Sequence, residues 1–146
     1  MIFNPSRDDV RRFFRETNAK KRAGTPLTPL ETIAGDWMQR HPEYDPVLAP
    51  VQPGEPDPFE PRDGEPNPFL HLSMHLSIEE QMSIDQPAGI RAAVERLAAR
   101  TGSLHDAHHE AMECLGEMLW TAQRSGTAPD GAEYIRCIER RASRTS

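Results

Sequence analysis

Along most of this 146-residue chain, apolar side chains recur every third or fourth position, the spacing of one face of an α-helix. The pattern predicts about six helices. The first spans Ser6 to Arg22, with Val10, Phe13, Phe14 and Thr17 as its stripe and Ser6 with Asp9 as a box-like start. In the second, Thr28 caps, Pro29 takes the first turn and Glu31 completes the box. Leu30, Ile33, Ala34, Trp37 and Met38 then follow at helical spacing, until His41-Pro42 ends the run. The third covers Pro68 to Ile84, with Asn67 as cap. After Asp85-Gln86-Pro87 the fourth carries Ile90, Ala93, Val94 and Leu97 and stops near Thr101-Gly102. Ser103 caps the fifth, whose seam is Leu104, His108, Ala111, Leu115, Met118 and Ala122, and Gly126 follows its end near Arg124. The last opens at Asp130 with Glu133 and buries Tyr134, Ile135 and Ile138. Period-two strand patterns are sparse, so the fold class is all-α: one compact helical bundle over 1–146.

One stretch breaks the pattern. Residues 42–68 hold nine of the fourteen prolines, and seven acids against one arginine. Each proline removes a donor and fixes φ, so neither a helix nor a central strand is expected there. The expectation is a long acidic loop wrapped over the surface, pinned by Phe59 and Phe69, with a protein partner as a possible contact. The basic first helix reads as a solvated face. Its nearby acids and missing aromatics, with a formal charge of -6 for the chain, argue against nucleic acid. No apolar run is long enough for a membrane span. Cys114 and Cys137 form no CxxC pair, which points to a reducing compartment, no disulfide framework and a cytoplasmic location. Oligomeric state has no signal.

Candidate chemistry sits in Leu70–Glu113, which holds five of the six histidines. The spacing His-x3-His-x3-Glu occurs twice, as His71, His75, Glu79 and as His105, His109, Glu113. Residues four apart on a helix share one face, so each histidine pair can grip one ion. The helical phase turns His71 and His75 inward and sets His108 in the seam of its helix. If the fourth helix returns antiparallel, the third and fifth run parallel and their histidines lie at one height. The first candidate ligands are His71, His75, His105 and His108; His109, Glu79 and Glu113 follow. Imidazole with carboxylate suits a transition metal, Zn or Fe first, with Ni or Mn also compatible. A purely structural His/Glu network and an anion pocket at the helix N-termini stand beside that reading. His41, in the last turn of its helix, reads as a cap on the negative end of the helix dipole and not as a ligand.

Two resemblances follow from these residues. The paired HxxxE elements, His75 to Glu79 and His109 to Glu113, resemble the ligand spacing of hemerythrin-type di-iron bundles, which draw ligands from four helices where two supply them here. The blocks NPSRDDVRRFF, TPLETIAGDWMQRHPEY, NPFLHLSMHLSIEEQMSIDQPAGIRAA and HDAHHEAMECLGEMLWTAQRSG resemble a family of small bacterial proteins, the domain of unknown function 1841. The likeness covers nearly the whole chain outside the proline-rich loop. It implies one compact bacterial domain and brings no activity, cofactor or partner.

Overall fold

A computed structural model describes residues 7–52, 54–57, 59 and 67–144. Those residues form helices and no strand: α1 (Arg7–Ala23), α2 (Pro29–Gln39), a 3₁₀ turn (Pro42–Tyr44), α3 (Asp45–Leu48), α4 (Pro68–Ile84), α5 (Ile90–Thr101), α6 (Leu104–Ser125) and α7 (Gly131–Ala142). The all-α expectation holds. Ser6, expected to cap α1, lies outside the described residues.

Local chemistry fixes the helix ends. The Thr28 hydroxyl accepts from the Glu31 N–H while the Glu31 carboxylate accepts from the Thr28 N–H, the full capping box. Asn67, Ser103 and Asp130 cap α4, α6 and α7 through their side chains. Gly102 and Gly126 end α5 and α6 in the left-handed conformation, with φ of 87° and 65°. The start of α5 has a device the sequence did not disclose. The Asp85 carboxylate accepts from the N–H groups of Arg91 and Gly89, and these bonds hold its carboxyl below the usual range.

The chain divides into two compact units, 1–76 and 77–146, with the boundary inside α4. In the first, Phe14 of α1, Ala34, Trp37 and Met38 of α2, Leu48 of α3, and Phe69 and Leu72 of α4 form one buried apolar cluster. In the second, α5, α6 and α7 pack on one another. Ile90, Ala93, Val94 and Leu97 are fully buried on α5, as their spacing requires. Tyr134 of α7 is buried and its hydroxyl donates to Gln81 Oε1 at 2.7 Å; burial pushes the phenol pKa up. Leu104 was expected in the α6 seam but is exposed, because it is the first residue of the helix.

Three expectations are corrected. Residues 42–48 are helical despite their prolines, because Pro42 and Pro46 occupy first-turn positions, where the missing N–H has no helical partner to lose. Cys114 and Cys137 form a disulfide between α6 and α7, so the inference from unpaired cysteines to a reducing compartment falls. The basic face of α1 is also not merely solvated. The Arg15 guanidinium donates twice to the Asp57 carboxylate, at 2.7 and 2.9 Å, and Arg11 donates to it at 2.8 Å. Both guanidinium groups lie over the Phe69 ring, and Arg11 lies over Phe59 as well. Phe59 packs on Phe69, the pinning expected from the sequence.

This clamp carries a pH dependence. Arg15 above all, then the Phe59 N–H and Arg11, hold the Asp57 carboxyl far below its ordinary value, against the opposing effect of burial. A depressed folded-state pKa gives stability that is complete above the unfolded pKa, about 4, and is lost as pH falls through the folded value. Asp57→Asn should therefore cost roughly 1.5–3 kcal/mol at neutral pH, the worth of hydrogen bonds to a charged group. It should also flatten the fall in stability below about pH 4. Urea unfolding at several pH values checks both; a parallel acid profile for the variant would contradict the clamp.

Candidate metal centre

The densest group of ring nitrogens in the first unit is built around His75. Helical phase carries this α4 residue into the interior, where it is fully buried. It stacks on the Trp37 indole with ring centroids 3.8 Å apart and 15° between planes. The Arg40 guanidinium lies 4.7 Å from the same indole centroid. One turn earlier, His71 brings its Nε2 to 3.1 Å from the Nε2 of His75. The i, i+4 spacing did what the sequence led one to expect of it.

The third ring was not expected. His41 follows α2 and is 4% exposed. Its Nε2 lies 3.3 Å from the same His75 Nε2, and its Nδ1 lies 2.9 Å from Glu43 Oε2. The helix-cap role assigned to it is not what holds it there: Arg40 closes α2, and His41 makes no side-chain capping bond to the turn that follows. The only signal in the sequence was the dipeptide His41-Pro42 followed by Glu43, which places a carboxylate two residues from the ring.

The Glu43 contact sets the chemistry of His41. An ionised carboxylate only accepts, so Nδ1 carries the proton and donates it to Oε2. In the neutral ring Nε2 then carries the lone pair, and it is this atom that faces His75. The His41 imidazole, with the backbone N–H of Glu43, holds the Glu43 carboxyl below its usual range. Such a carboxylate–histidine pair is the common outer support of a metal-binding imidazole. Tyr44 stacks on His41 with ring centroids 5.0 Å apart and meets His71 edge-on, walling one side; burial pushes its phenol pKa up.

The geometry admits a direct test of fit. Two imidazole nitrogens on one zinc ion, each at about 2.0–2.1 Å with tetrahedral angles, stand about 3.3 Å apart. The Nε2 separations of 3.1 and 3.3 Å match such edges. They also match N–H···N hydrogen bonds, so distance alone leaves both chemistries compatible.

The remaining candidates, His105, His108, His109, Glu79 and Glu113, belong to the second unit. In the second unit His105 and His109 face each other on α6, with centroids 4.4 Å apart and ring nitrogens within 4.8 Å. His108 is fully buried, as its place in the seam implied. Glu79 is half-buried on α4. Glu113 is exposed and accepts from the Arg141 guanidinium. Among the described residues no helix is long and apolar enough to cross a membrane.

The sequence profile of a family described as a domain of unknown function, DUF1841, matches residues 6–140. No curated protein and no solved structure matches the chain.

Proposed function

This chain belongs to the family of domain of unknown function 1841, and we propose that it binds a transition metal ion through the Nε2 atoms of His41, His71 and His75. The observation that carries this reading is the approach of two imidazole Nε2 atoms to a third, at edge lengths suited to one ion. Three supports surround it. Glu43 fixes the His41 tautomer that leaves Nε2 as a lone pair. Trp37 holds the His75 ring in place from its face. His41 and His75 are both buried, which keeps the group of ring nitrogens out of bulk water. Imidazole donors suit Zn, Fe and Ni, with Zn and Fe first. Three protein nitrogens leave room for a further ligand.

The test begins with elemental analysis of protein purified without an affinity tag. About one equivalent of metal per chain is expected, absent from His41→Ala/His75→Ala protein. Glu43→Gln should retain the site but weaken affinity about 10–100-fold, the usual effect of losing an outer-shell carboxylate. His105→Ala/His109→Ala protein measures the α6 pair separately. Metal-free protein that takes up none of Zn, Fe, Ni or Mn in titration would turn the reading over to a hydrogen-bonded histidine network, with which the same distances are compatible.

A further inference from the structure

The disulfide between α6 and α7 lies beside an unexplained carboxylate. Cys114 and Cys137 are buried, and both line a pocket of about 310 Å³ together with Glu117 and Glu133. Cys114 and Glu117 are three apart on α6, and Glu133 and Cys137 are four apart on α7. Each helix therefore presents one sulfur and one carboxylate on the same face. Glu117 Oε2 stands 3.7 Å from Cys137 Sγ. A disulfide sulfur carries no proton, so this contact is not a hydrogen bond in the oxidised protein. It is close to the separation of about 3.5 Å between sulfur and oxygen donors on one tetrahedral zinc, from bond lengths of about 2.3 and 2.0–2.2 Å.

We propose that the reduced Cys114–Cys137 pair, with the Glu117 carboxylate, is a thiolate metal site of the zinc class, for which the disulfide is the metal-free oxidised state. The change is balanced in two steps. A dithiol reductant gives two electrons and two protons to the disulfide and leaves as a cyclic disulfide, with both cysteines as thiols. Metal binding then releases both thiol protons to solvent as two metal–sulfur bonds form. A disulfide-class oxidant reverses the sequence by taking the two electrons and expelling the ion. The fourth position falls to water, because the Glu133 carboxylate is engaged by Arg136 at 2.9 Å and Arg140 at 3.1 Å. Those arginines also bring positive charge toward a site with three anionic donors. The soft sulfur donors set this site apart from the histidine group, which offers nitrogen alone.

The full-length chain, reduced by a dithiol, freed of reductant under argon and titrated with cobalt(II), tests the proposal. One equivalent should produce thiolate-to-cobalt charge-transfer absorption, which zinc then bleaches. The oxidised chain should give none. Histidine ligation produces no such band, so the result stands apart from the fate of the histidine centre. Glu117→Gln, at an exposed position that leaves the helix intact, should weaken zinc binding by more than the roughly tenfold minimum of an outer-shell loss. A reduced chain without the charge-transfer band overturns the proposal, as does a Glu117→Gln chain that holds zinc as tightly as its parent.

Discussion

Trp37→Ala should destabilise the chain by about 3–5 kcal/mol, the usual cost of truncating a buried tryptophan. The indole is 2% exposed and belongs to the cluster that joins α1, α2, α3 and α4 in the first unit. Its loss leaves a cavity too deep in that cluster for the neighbours to fill. It also strips the wall from His75, whose ring stacks on the indole. Two effects are therefore expected together: a lower urea midpoint, and weaker metal uptake even under conditions where the variant is folded. Trp37→Phe retains an aromatic face and should recover much of both. A stability change under about 1 kcal/mol in Trp37→Ala would show that the indole is not part of the first unit's core.

Loss of the Cys114–Cys137 bond should cost about 3 kcal/mol, the chain-entropy value for a loop of this size. The bond ties α6 to α7 across a sequence separation of 23. Cutting it enlarges the conformational freedom of the unfolded chain more than that of the folded one. Urea unfolding with and without a dithiol, in the presence of chelator, reads this difference without contribution from bound metal. Thiol counting in denatured, unreduced protein should find none. Two reactive thiols, or an unfolding curve that ignores the reductant, would contradict the bond.

Much of the local architecture was legible without coordinates. Thr28 with Glu31, Ser103, Asp130, Gly102 and Gly126 mark helix ends because a cap is satisfied by atoms within three or four positions of it. The buried face of α5 was legible because Ile90, Ala93, Val94 and Leu97 meet one side of a 3.6-residue turn. The inward turn of His75 and its meeting with His71 followed from the same period. The prolines of 42–48 misled because their effect depends on position within a helix: in the first turn they cost nothing, and only a described backbone says which turn they occupy.

Contacts between distant parts of the chain were left to the tertiary structure. His41 meets His75 across 34 residues, Arg15 meets Asp57 across 42, and Cys114 meets Cys137 across 23. Spacing within a helix says which face a side chain takes, but not which loop or helix comes to lie against it. That pairing depends on the closed path of the chain and on which packing buries the most apolar surface. So the sequence by itself determined an all-helical family member with inward histidines at i and i+4. The meeting of His41 with His75, the arginine clamp on the acidic loop and the sulfur–carboxylate pocket exist only because folding brought unrelated stretches together.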